Sequence, residues 1–160
     1  MEINVLIDES LETHIETDWF GSIVERALTA QQAPPNVELG LLVTTQEKIR
    51  ELNKTYLGSD QPTDVIAFYM LPEEDSGGEE HPSFITPPDG ITHLGEIVVS
   101  YPQAVIQAAE QQHSIRKELA ILIIHGVLHI LGYRDDTPEL KQAMHAREME
   151  ILDTIGGDQL

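Results

Sequence analysis

Apolar and polar positions along the chain follow two periods, and the switches between them mark the elements. Ile3 to Ile7 alternates as a short strand that Asp8, Glu9 and Ser10 close. Trp19, Phe20, Ile23, Val24, Ala27 and Leu28 recur at helical spacing, which predicts an amphipathic helix from about Asp18 to Ala30 with its apolar stripe in the core. Past Pro34 and Pro35, Val37 to Val43 reads as a second strand. Thr44 or Thr45 then caps a helix running to about Tyr56, with Ile49 and Leu52 inward. A polar, turn-rich stretch ending at Asp64 leads into the β-branched and aromatic strand Val65 to Tyr69. Ile91 to Ser100 is a fourth strand, with Gly95 a candidate bulge. Ser100 caps a helix to about Gln112, with Pro102 in its first turn, and Ser114 caps the next. Thr137-Pro138 opens a last helix, for which Leu140, Ala143, Met144, Met149 and Leu152 supply the apolar side.

Strands and helices in this order predict an α+β fold, one small mixed sheet packed with helices, in a single domain over residues 1–160. Met70 to Gly90, acidic and rich in Pro and Gly, has no periodicity and is expected to be a surface insertion. No apolar run reaches the roughly 18 residues that span a bilayer, and MEINVLIDES lacks the basic start of a signal peptide, so a cytoplasmic location is expected. With no cysteine there are neither disulfide partners nor thiolate ligands, so a metal must use imidazole and carboxylate. The net charge of −19 opposes bulk attraction to nucleic acid or anionic membrane. The least acidic element is the helix ending near Tyr56, where Arg50 and Lys54 share a face. They are candidate phosphate contacts, set against the plainer reading of a solvated, salt-bridged surface.

The chemistry concentrates in Ile121 to Asp136, ILIIHGVLHILGYRDD. His125 and His129 lie one helical turn apart in an almost wholly apolar run, so both imidazoles leave the same face. Buried and unpaired, each would cost about 1–3 kcal/mol. A shared metal ion satisfies one nitrogen of each. The helix should end at Gly132, and a chain turning back there presents Asp135 or Asp136 as third ligand. The result is a His₂Asp site of zincin-like spacing for one divalent ion, whose carboxylate oxygen tolerates more than one metal. The H-E-x-x-H proteases need a glutamate after the first histidine, but here that position is Gly126, expected to leave space for a bulky substrate. His93 reads as structural or surface, His113, His145 and His14 as surface residues, and His81 as exposed.

HGVLHILGY resembles the signature of the YbeY family of bacterial metal-dependent endoribonucleases. The resemblance extends through Leu52-Asn53, Tyr56, Asp60, the block Pro62 to Phe68, and Leu94 to Val98. It implies a zincin-like α+β fold, a zinc ion, and cleavage of single-stranded RNA in 16S ribosomal RNA 3′ end maturation and ribosome quality control. Position by position, it implies His125 and His129 as two ligands. Its third ligand, usually histidine, falls on Asp135, the preceding aspartate on Arg134, and an expected arginine on Leu57. A carboxylate ligand makes the ion a weaker Lewis acid than three imidazoles would. Arg134 is a candidate replacement for the cation missing at Leu57, the alternative being an ion pair with Asp135 or Asp136. Glu96 and Asp136 are candidate general bases.

Three functions compete at this point. The leading one is a zinc-dependent endoribonuclease meeting ribosomal RNA and the ribosome, through a ribosomal protein if charge forbids direct binding. The others are a non-catalytic ribosome-biogenesis factor with a structural metal, and a metalloprotease.

Overall fold

The computed structural model describes residues 1–69 and 90–160. The expected insertion, Gly90 apart, and His81 lie outside the described residues. The elements are β1 (Glu2–Ile7), α1 (Thr17–Ala30), β2 (Val37–Thr44), α2 (Gln46–Leu57), β3 (Val65–Tyr69), β4 (Thr92–Ser100), α3 (Tyr101–Gln111), α4 (Ile115–Ile130) and α5 (Pro138–Asp153). The fold is α+β, as the pattern predicts. The sheet order is β1-β2-β4-β3, with β1, β2 and β4 parallel and β3 antiparallel to β4. The β2–β4 register shifts between Glu38 and Leu39, so that Leu94 is skipped beside Gly95 and a bulge sits there.

Two apolar layers sandwich this sheet. On one face Leu39, Leu41, Val43, Leu94, Ile97 and Val99 meet α1, α4 and α5 in the main core. On the other, Val98, Ile66 and Phe68 meet Ile49 and Leu52 of α2. Helix α4 is apolar nearly all round and correspondingly buried, as a helix in the middle of a core must be. Its Leu119, Ile123, Ile124 and Leu128 are fully inaccessible, and each contributes about 1.5–3 kcal/mol by burial. The Ser114 cap adds only about 1 kcal/mol. Packing therefore fixes where α4, and the histidines on it, must sit.

Gly126 is where α4 touches the sheet. A Cβ there would lie 2.8 Å from Ile97 Cγ2 and 3.2 Å from both Cδ1 and Cγ1. Gly126 lines the pocket beside the histidines, as expected, but the space of its missing side chain is filled by Ile97. Gly126→Ala should destabilise the protein by about 1–3 kcal/mol through overpacking, read as a lower urea midpoint with unchanged slope. An unaltered midpoint would mean that Ile97 can rotate away.

The last helix also departs from its expected apolar side. Its buried residues are Met144, Glu148, Ile151 and Leu152, while Leu140 and Ala143 are exposed. A carboxylate thus occupies the centre of the buried stripe.

Candidate metal centre

Helix α4 ends in a Schellman turn. The Tyr133 amide donates to the Leu128 carbonyl (2.9 Å) and the Gly132 amide to that of His129 (3.0 Å), with Gly132 at φ 104°. Only glycine takes that φ without strain. The turn folds the chain back over the last helical turn. It carries the Tyr133 carbonyl to His129 Nδ1 at 3.1 Å and the Asp135 carboxylate to the ring nitrogens. Asp135 Oδ2 lies 3.4 Å from His129 Nε2 and 3.9 Å from His125 Nε2, and the two Nε2 atoms are 3.0 Å apart.

These separations test whether a metal fits. Tetrahedral zinc with bonds of roughly 2.0–2.2 Å spaces its ligand atoms at about 3.3–3.5 Å, and the observed distances bracket that value. The tautomers point the same way. His125 Nδ1 faces the Glu148 carboxylate and His129 Nδ1 faces the Tyr133 carbonyl, both pure acceptors, so each Nδ1 carries the hydrogen. Both Nε2 lone pairs then converge with a carboxylate on one point, an arrangement that only a cation or an extra proton stabilises. His125, His129 and Asp135 can therefore hold one metal ion.

Charge around the site agrees with this. Burial works to lower the pKa of His125, but the hydrogen bond and charge of Glu148, with the charges of Asp135 and Asp64, prevail and raise it. Burial and then the Asp135 charge raise that of Tyr69, a pocket residue. The pocket, about 350 Å³, opens between α4 and β3, with Asn53, Leu57, Asp64 and Tyr69 in its walls.

The remaining candidates disperse. Asp135, not Asp136, joins the histidines. Arg134 turns away to Asp136, with nitrogen and oxygen 2.6 Å apart and the guanidinium exposed, and that contact holds the Asp136 carboxyl below its ordinary pKa. The ion-pair reading of Arg134 thus replaces its role as a substitute cation, and Asp136 is not part of the pocket wall. Glu96 alternates with the inward Ile97 and lies over Gly40, on the sheet face opposite α4. It is not brought to the site. Arg50 and Lys54 both lean on Asp60, at 2.8 and 3.9 Å, which makes them the salt-bridged surface first weighed against phosphate contact. Leu57 does line the pocket, so the missing cation is missing at its mouth. His93 bonds Glu38 at 2.9 Å. His113, expected at the surface, is mostly buried and bonds the buried Glu118 at 2.8 Å.

Two residues at the site have no role in the sequence reading. Glu148, 5% exposed, orients His125. Its signal was its place at helical spacing between Met144 and Ile151-Leu152. Asp64 enters the pocket with its Oδ2 held by Gln107 at 3.4 Å. Gln107 in turn bonds Glu118 at 2.9 Å, so a polar chain braces Asp64 from behind.

Residues 4–156 match the family described as Endoribonuclease YbeY. An Endoribonuclease YbeY of Dehalococcoides mccartyi is 48% identical over 133 residues, covering 83% of this chain and 77% of that one. Another, of Chloroflexus aurantiacus, is 38% identical over 159 residues, covering 96% and 95%. In fold the chain is similar to the solution structure of TM1509 from Thermotoga maritima, with a TM-score of 0.57 and 22% identity over 95% of this chain and 90% of that one. The family match and these relatives place the chain in the YbeY endoribonuclease family.

Proposed function

We propose that the chain is a metal-dependent endoribonuclease that cuts single-stranded RNA, acting in the cytoplasm on 16S ribosomal RNA near its 3′ end and in ribosome quality control. The observation that carries this is the convergence of His125 Nε2, His129 Nε2 and Asp135 Oδ2 in a pocket of a YbeY-family chain. The donor set suits zinc, with three protein ligands and a position left open. When bound, the ion supplies an acidified water and a positive charge for the phosphodiester oxygens. Glu148 and the Tyr133 carbonyl hold the two imidazoles in the ligating tautomer. Asp64, braced by Gln107, is the pocket carboxylate outside the ligand set; it would take a proton from the water attacking phosphorus and return it to the ribose oxygen that leaves as the P–O bond breaks. At −19 the protein gains little from long-range attraction to RNA, which favours a ribosomal protein or the ribosome as the partner that delivers substrate.

Purified metal-loaded protein should cut a single-stranded ribosomal RNA fragment and leave the same fragment unharmed as a duplex. Chelator should stop cleavage, and Asp64→Asn should slow it while metal content stays the same. Cleavage of casein in place of RNA would turn the reading to a metalloprotease. RNA cut only after Leu57→Arg and Asp135→His together would make the native chain a non-catalytic biogenesis factor.

A further inference from the structure

Two large exposed side chains line the pocket, and a third adjoins one of them in sequence. Leu57 and Tyr69, 56% and 54% exposed, form part of its wall, and Tyr56, 67% exposed, precedes Leu57 on α2. Tyr56 meets Phe68 edge-on, with ring centroids 5.6 Å apart at 72°. Phe68 is itself seated on Ile49, Ile66 and Val98. One edge of the Tyr56 ring is thereby fixed while much of the ring stays open.

The placement follows from the strand. Among the described residues β3 is the last strand of the sheet, with α2 on one side and α4 on the other. Side chains alternate along it, so Phe68 and its partner Tyr56 lie on the α2 side and Tyr69 on the α4 side with the metal ligands. Two aromatic rings thus lie on either side of one strand, Tyr69 on the side of the candidate metal ligands. Charge there is wrong for a phosphate grip. Arg50 and Lys54 are engaged by Asp60, and Asp64 and Asp135 both line the pocket.

We propose that Tyr56 and Tyr69 are stacking platforms for nucleobases of single-stranded RNA, so that the strand is held at the site by its bases more than by its phosphates. This rests on the endoribonuclease reading. Stacking is tolerant of sequence, since every base has a face, and it selects single strands, since in a duplex those faces are covered. It also needs no net positive charge, which suits an acidic chain.

The rival occupant is an extended peptide. Ser100 donates to the Asp64 carbonyl at 2.9 Å, so the antiparallel register turns the backbone groups of Val65, Ala67 and Tyr69 outward. Among the described residues no strand pairs with that edge, which suits backbone pairing, but such pairing makes no use of two exposed rings.

Binding of a labelled oligouridine of about ten nucleotides decides between them, measured by anisotropy on metal-loaded protein at several salt concentrations. Tyr56→Ala and Tyr69→Ala should each weaken binding about five- to tenfold, with an unchanged salt slope. Tyr69→Phe should recover most of the loss. A strand of abasic nucleotides should bind the native protein as poorly as the native strand binds the double alanine variant. Alanine variants that melt like the native protein and bind RNA equally well would overturn the proposal, as would a loss accompanied by a flatter salt slope. Preference for an extended peptide, unaffected by either tyrosine, would overturn it too. RNA held through its bases but never cut would leave the stacking in place and defeat the activity reading alone.

Discussion

His129→Ala should reduce cleavage of single-stranded RNA by at least about a thousandfold, to the level of native protein in chelator. The reason is the number of ligands. His125, His129 and Asp135 are the described residues able to share one ion, and two of them cannot hold it against solvent. A thousandfold loss corresponds to about 4 kcal/mol, within the several kcal/mol a Lewis acid supplies to a charged transition state. The fold should survive. His129 Nδ1 donates to the Tyr133 carbonyl at the partly exposed end of α4, and losing that bond costs about 1 kcal/mol. Metal content, cleavage rate and melting of the metal-free protein, measured together, check this. A variant that loses its metal but cuts RNA at the native rate would remove the centre from the reaction.

Why the ligands could be read in the chain, and their support could not, is a matter of distance along it. The ligand set is local: two histidines one turn apart, a glycine that ends the helix, and an acid three residues on. Local rules also located the caps, since Thr45, Ser100, Ser114 and Thr137 each accept a hydrogen bond from the residue three further on. Glu148 lies 23 residues from His125, and only tertiary packing of α5 on α4 brings them together. Glu96 misled for a different reason. The bulge beside Gly95 puts Leu94 and Ile97 on the same face although they are three apart, so simple alternation does not tell which way Glu96 points. Gly126 and Arg134 depended on partners, Ile97 and Asp136, that no local pattern names.

The second large effect is expected at Glu148. With Glu148 5% exposed and its carboxylate against the His125 ring, Glu148→Ala should weaken metal binding about ten- to a hundredfold, the usual cost of losing an acceptor behind a ligating imidazole. Glu148→Gln keeps an acceptor but removes a charge, and should lie between the two. Charge matters because Asp135 and Glu148 together carry the two negative charges that match a divalent ion. The metal-free protein offers an independent reading. Glu148 is the main group raising the His125 pKa above its ordinary 6.5, against burial. A histidine whose pKa is higher folded than unfolded adds stability that is complete below the unfolded value and vanishes as pH rises through the folded one. Native protein should therefore gain stability over Glu148→Gln below pH 6.5, with the gap closing at higher pH. Urea midpoints of both proteins in chelator from acid to alkaline pH measure it. A gap independent of pH would mean that Glu148 supports the helix packing and not the His125 proton. Nuclear magnetic resonance titration of the His125 ring should show its pKa falling in the Gln variant, since burial is then less opposed.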